Sequence, residues 1–270
     1  MSLTLGTGPL ASAPGGAFNF DLAGASPKHR IFFADYPLRL RAVAGDRTVV
    51  DTTRAKLLYE TNIMPVVYAP LEDFDASLLE RTDHSTHCPF KGDASYWTVR
   101  AGDVVLENAV WAYEDPLPAA PWLEGHAAMY WKLASAWYVE EEPVSLGHLR
   151  DPFHRVDVHE SSRPATVRIG DRVIAHSERP KLLIETGLPM KVYLPRADVV
   201  GGVLAPAEKR TTCPYKGEAH YWDVAGIADA AWSYESPLPE AIKVQGHLSF
   251  DAEEITVELG APRAQLAAAA

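Results

Sequence analysis

The sequence predicts an all-β or β-rich protein built from two tandem copies of one small domain, and three observations carry that prediction. Lys56-Leu57-Leu58-Tyr59-Glu60-Thr61 returns as Lys181-Leu182-Leu183-Ile184-Glu185-Thr186, and Cys88-Pro89-Phe90-Lys91-Gly92 returns as Cys213-Pro214-Tyr215-Lys216-Gly217, both at an offset of 125 (181 − 56; 213 − 88). Short apolar runs alternate with glycine and proline throughout the chain. Copy two shows no helical periodicity sustained over three turns.

The repeat sets the boundaries. Laying 45–97 on 170–222 without a gap gives 22 identities in 53 positions. Beyond Trp97 and Trp222 copy two is four residues shorter, and the match resumes at Trp111-Ala112-Tyr113-Glu114 against Trp232-Ser233-Tyr234-Glu235. An even deletion inside a hairpin keeps side-chain alternation in phase, so a shortened β-ribbon accounts for it. Residues 1–27, rich in Gly, Ala and Pro, read as a flexible N-terminal arm, 28–140 as the first repeat domain and 141–152 as a linker. Residues 153–260 form the second repeat domain and 261–270 an Ala-rich tail.

Within a copy, Thr166–Ile169 and Arg172–Ala175 read as strands around a Gly170-Asp171 turn, which Gly45-Asp46 repeats. Val66–Pro70 and Val192–Pro195 are further strands stopped by proline. A ribbon follows each cysteine and turns near Gly102 or Gly226. Copy one alone shows a pattern for a short helix around Trp131–Ala136.

A formal net charge of −11 with no Lys/Arg-rich block excludes bulk electrostatic binding to nucleic acid, while leaving room for a local basic pocket. The absence of a basic residue before Lys28 and of a long apolar run predicts neither secretory signal nor membrane association, and places the chain in the cytoplasm. Two cysteines, Cys88 and Cys213, cannot build a disulfide framework, and no C-x-x-C pair is present.

Chemistry concentrates around those cysteines. In Cys-Pro-x-Lys-Gly the proline pushes the cysteine backbone extended and the glycine permits a sharp turn, so the lysine can fold back. A nearby ammonium favours thiolate, which makes Cys88 with Lys91 and Cys213 with Lys216 the catalytic candidates, against the plain alternative of a small buried hydrophobe. Glu60 and Glu185 sit inside apolar runs and require a partner, either Arg54 and Arg179 or the motif lysines, and a buried ion pair alone would explain them. With them, Tyr68, Tyr96, Tyr193 and Tyr221 complete the candidate ligand-binding set, although most aromatic residues here are expected to pack in the core. His84, His87 and Cys88 have a metal-ligand composition, but copy two puts Lys209, Thr212 and Cys213 there, so no shared metal site and no cofactor are predicted.

These residues also resemble a family. Leu182-Leu183-Ile184-Glu185-Thr186-Gly187, Val192-Tyr193-Leu194-Pro195, Thr211-Thr212-Cys213-Pro214-Tyr215-Lys216-Gly217-Glu218-Ala219 and Ala231-Trp232-Ser233-Tyr234 are similar to the domain of unknown function 427, sometimes labelled nucleotidyltransferase-like. The resemblance spans nearly all of copy two and most of copy one. It implies a tent-like antiparallel β fold, two small sheets meeting at an angle, in which related tents often hold zinc through cysteine pairs that this sequence lacks. It also carries the nucleotide-transfer label, but no paired-carboxylate site with a glycine-serine element accompanies it here. Copy one departs from the pattern at Tyr59, Met64-Pro65 and His87.

Three readings follow. The leading one is binding of a small molecule or nucleotide in a Glu/Arg/Cys/Lys-lined pocket of each copy. The second is a nucleotidyl or acyl transferase using a lysine-activated cysteine. In the third, the two copies pack against each other and present an aromatic face to a protein partner.

Overall fold

The structure, a computed structural model, describes residues 3–12, 15–16, 29–144 and 148–262. The chain divides into two compact units, one running to Asp151 and the other starting at Pro152. In the first, the strands are β1 (Ile31–Asp35), β2 (Leu40–Ala44), β3 (Arg47–Thr52), β4 (Lys56–Glu60), β5 (Ile63–Pro70), β6 (Leu79–Cys88), β7 (Gly92–Ala101), β8 (Val104–Ala112), β9 (His126–Met129), β10 (Ala136–Val139) and β11 (Glu142–Pro143). They form a seven-stranded sheet, β1-β4-β5-β9-β8-β7-β6, and a four-stranded sheet, β11-β10-β2-β3.

The second unit repeats the plan with β12 (Val156–Glu160), β13 (Ala165–Ile169), β14 (Arg172–Ser177), β15 (Lys181–Glu185), β16 (Lys191–Pro195), β17 (Leu204–Cys213), β18 (Gly217–Val224), β19 (Ile227–Tyr234), β20 (His247–Phe250) and β21 (Ile255–Leu259). Its sheets are β12-β15-β16-β20-β19-β18-β17 and β14-β13-β21. All-β architecture used twice is what the repeat and its punctuation predict.

Alternation assigns each large sheet two faces. In copy one, Leu57, Tyr59, Trp97, Val99, Val110 and Met129 point at Leu40, Ala42, Val49, Val50 and Trp137 of the smaller sheet and form the inner core. In copy two the counterpart joins Leu194, Val224, Ala231, Leu248 and Phe250 to Ala165, Val167, Ile174 and Ala175. The opposite face carries a second cluster in each copy. Tyr68, Tyr96, Tyr113 and Leu123 build it in copy one, and Tyr193, Tyr215, Tyr234 and Val244 in copy two. Short 3-10 turns at Pro121–Leu123 and Pro239–Val244 contribute to these clusters.

The shortened ribbon preserves register as an even deletion should: Tyr96 faces Trp111 in β7–β8, and Tyr221 faces Trp232 in β18–β19. One local expectation needs correcting. Trp131–Ala136 is not helical: the chain turns and Ala136 opens β10. The cause is a stack of Trp131 on Trp137, centroids 4.2 Å apart, with the Trp137 indole donating to the Trp131 carbonyl at 3.0 Å.

Residues 3–12 of the arm are turns folded onto copy one, where Thr4 Oγ1 donates to the Ile63 carbonyl at 3.1 Å and Ala11 is buried. The rest of the arm, apart from 15–16, and the tail from 263 lie outside the described residues. The start of the linker is structured too, since Glu142–Pro143 pairs with β10, Leu149 enters the inner core, and Tyr59 Oη donates to Asp151 at 2.7 Å. No helix among the described residues is long and apolar enough to cross a membrane.

Candidate functional site

The second face of each large sheet holds nearly all the predicted site residues. A register row crosses it in copy one: Asp35, Lys56, Tyr68, Ala128, Trp111 and Tyr96 lie side by side on successive strands. Glu60 points to the same face four residues along β4 from Lys56, roughly 13 Å away at strand rise. The face therefore has two ends.

At the glutamate end, Cys88–Lys91 forms a tight turn closed by Lys91 N–H donating to the Cys88 carbonyl at 3.2 Å, matched at 3.3 Å between Lys216 and Cys213. Gly92 and Gly217 follow with φ of 108° and 104°. An added Cβ would lie 3.3 Å from the carbonyl oxygens of Asp115 and Ser236, so backbone angle and space both demand glycine. The Pro-Leu-Pro segments lock the turn from outside, with Leu117 N–H on the Lys91 carbonyl and Leu238 N–H on that of Lys216.

That turn aims the lysine inward. Lys91 Nζ donates to Glu60 Oε2 at 2.5 Å while His29 Nε2 lies 2.8 Å from Oε1, and Glu60 is almost fully buried. In copy two Lys216 and His154 flank Glu185 in the same way, with His154 Nε2 2.9 Å from the carboxylate. Nε2 carries the hydrogen, because a carboxylate only accepts. Nδ1 of His154 is buried and has no hydrogen-bond partner among the described residues. Rings flank both imidazoles: Phe90 stacks on His29 at 3.8 Å, and Tyr215 lies against His154 at 3.9 Å. Burial opposes the charge on Glu185, but the His154 hydrogen bond and the Lys216 ammonium outweigh it and hold the carboxyl below its ordinary value.

Tyr68 Oη accepts from the Trp111 indole at 3.3 Å, and Tyr193 Oη from that of Trp232 at 3.0 Å. Burial chiefly, opposed in Tyr68 and Tyr193 by the indole hydrogen bond and reinforced by the nearby carboxylate, thiol and other phenols, pushes Tyr68, Tyr113, Tyr193 and Tyr234 far above the usual phenol range. Those shared neighbours put Glu60, Cys88 and the tyrosines in one cluster. Both cysteines are half-buried there against aromatic rings.

Arg54 and Arg179 do not join the glutamates. They lie at the other end of the face, Arg54 on Glu72 and Asp73, Arg179 reaching Asp198 at 3.5 Å. There each copy opens a groove, about 1110 Å³ in copy one and about 740 Å³ in copy two. Matched residues line both: Arg54, Lys56, Pro70 and His126 in the first, Arg179, Lys181, Pro195 and His247 in the second. His126 Nδ1 lies 3.1 Å from the Glu124 carbonyl and His247 Nδ1 2.9 Å from that of Gln245. In copy two burial lowers the His247 pKa, the carbonyl contact opposes this, and Lys181 and Arg179 lower it further.

A family described as domain of unknown function (DUF427), labelled nucleotidyltransferase-like, matches residues 33–140 and 157–260, one match to each repeat and together most of the chain. The chain belongs to this family. Two DUF427 domains in tandem thus explain why the turn after the cysteine, the His-Glu-Lys network and the groove each occur twice. Among curated proteins no relative is found.

His29 and His154 escaped the sequence reading, although the signal was there: carried back, the same offset lays His154-Arg155 on His29-Arg30. Lys56 and Lys181 were equally visible in the repeat, but only strand alternation puts them on the face of the glutamate. Among the described residues no three His, Cys, Asp or Glu side chains are grouped to hold a metal ion.

Proposed function

We propose that each DUF427 repeat is a binding domain for one small polar molecule, held in the groove at the arginine end of the large sheet's second face. The observation that carries this reading is the recurrence of that groove in both copies with arginine, lysine and histidine at matched positions. Their volumes suit a ligand of nucleotide size or smaller. The His-Glu-Lys network, at the opposite end of the face, anchors the last residues of β4 and β15, from whose first residues Lys56 and Lys181 project into the groove.

The thiol reading lacks such support, because each motif lysine is bound to a glutamate. Titration with a panel of small polar metabolites, nucleotides included, is expected to find saturable ligands. Arg54→Ala with Arg179→Ala should weaken them about tenfold, the worth of a charged hydrogen bond, while Cys88→Ser with Cys213→Ser leaves affinity unchanged. Absence of saturable binding across the panel, or affinity lost with the cysteines alone, overturns the proposal.

A further inference from the structure

The two grooves are built from matched residues but differ in how their cations are held, and that difference points to a ligand class. In copy one Lys56 sits on Asp35, while Arg54 is clamped between Glu72 and Asp73. In copy two Lys181 donates to a backbone oxygen, the Lys243 carbonyl at 2.6 Å, and Arg179 touches Asp198 only at the long distance of 3.5 Å with most of its side chain exposed. A carbonyl holds an ammonium in place without cancelling its charge. Of the groove carboxylates in copy two, Glu178 is engaged by His176 at 3.1 Å, and Glu160 stands opposite Lys181 in register as Asp35 does opposite Lys56, but the Lys181 ammonium is turned to the Lys243 carbonyl instead of to it.

Histidine supplies the complementary function. Its Nδ1 contacts a carbonyl, which only accepts, so the hydrogen resides on Nδ1 and the Nε2 lone pair is left for a donor. Two cations beside one bare acceptor form a recognition set for an anion with a hydrogen to give.

We infer that the copy-two groove is the tighter site of the pair and takes a small oxyanion, carboxylate or phosphate, that carries a hydroxyl or amine group: the oxyanion on Arg179 and Lys181, the hydrogen donated to Nε2 of His247. This rests on the binding reading above and gives it a charge class and an order between copies. A neutral polyol offers nothing to the cations. A ligand with the anion but without the donor forgoes the imidazole.

The test uses the full chain and four probes, glycerate, glycerol 3-phosphate, propionate and glycerol, followed by nuclear magnetic resonance at the His247 ring and the backbone of 179–181. Glycerate or glycerol 3-phosphate is expected to shift these signals saturably, the one that acts identifying carboxylate or phosphate as the source, while glycerol does not. Arg179→Ala with Lys181→Ala should lower that affinity at least about tenfold, whereas Arg54→Ala with Lys56→Ala should weaken only the copy-one groove, with the titration read at the His247 ring following its wild-type curve. Exposed Arg179→Gln is the fallback should the double variant misfold. His247→Phe should abolish any preference for glycerate over propionate.

Equal response to glycerol, or an anion response that follows Arg54 and Lys56, overturns the inference. Saturable binding of a neutral metabolite at His247 would retire the oxyanion class and leave the binding domain standing. Silence from every probe and every panel ligand removes both.

Discussion

At the residue scale, the arrangement turns on burying a carboxylate, an ammonium and an imidazole together. Each glutamate would be costly in its apolar strand if left alone, and each is met on both oxygens by donors from distant segments, the turn after the cysteine and a histidine two residues before the first strand of its copy. For Glu185 the sign of the linkage is fixed. Its folded-state pKa is depressed, so its contribution is present above the ordinary carboxylate value of 4.5 and is lost as pH falls through the lower folded value. Glu185→Gln leaves Lys216 buried without its counter-charge and should cost about 3–5 kcal/mol at neutral pH. Protonating Glu185 strands Lys216 in the wild type as well, so the stability gap between the two proteins should start to narrow below about pH 4.5 and close once the pH has fallen below the lower folded value. Urea melts across that range check it, and a gap that persists in acid would mean the lysine is not the cause.

At the element scale, the Cys-Pro-x-Lys-Gly turn positions the whole glutamate end. Its geometry requires glycine at 92 and 217 by φ and by the approach of a carbonyl oxygen. Gly217→Ala therefore adds a strained φ to a close contact and should cost at least about 1–3 kcal/mol. The damage should appear at the network as well as in global stability, because Lys216 immediately precedes the glycine. Amide exchange at Glu185 and His154 should rise in Gly217→Ala, and loss of stability without that local response would separate the turn from the ion cluster.

Much of this level was legible beforehand: the repeated motif, the turn after cysteine, the phase-preserving deletion and the pairing need of a buried glutamate are all local or periodic facts. What was not legible depends on sheet order. Arg54 lies only six residues from Glu60, yet β4 runs between them and carries the guanidinium to the far end of the face. His29 reaches Glu60 because β1 pairs with β4, a non-neighbouring pairing that no sequence period announces. The Trp131–Ala136 segment failed for another reason, a tryptophan stack that overrode local helical spacing.

At the scale of the whole molecule, duplication has produced two domains with unequal closure. Copy one has four strands in its smaller sheet, an arm folded onto β4–β5, and a linker whose Leu149 enters the inner core while Asp151 accepts from buried Tyr59. Copy two has three strands there, and Ile184, at the position of Tyr59, is 50% exposed. Apolar burial dominates folding stability, so the larger and better covered core of copy one should open at higher free energy. Hydrogen exchange read peptide by peptide is expected to show β12, β15 and β16 losing protection at lower denaturant than β1, β4 and β5. Leu149→Ala should then cost copy one about 2–5 kcal/mol and narrow the difference, without changing exchange in copy two. Equal protection in the wild type would mean that linker and arm cover copy one without stabilising it. A Leu149→Ala effect that spreads to copy two would show that the two units unfold as one.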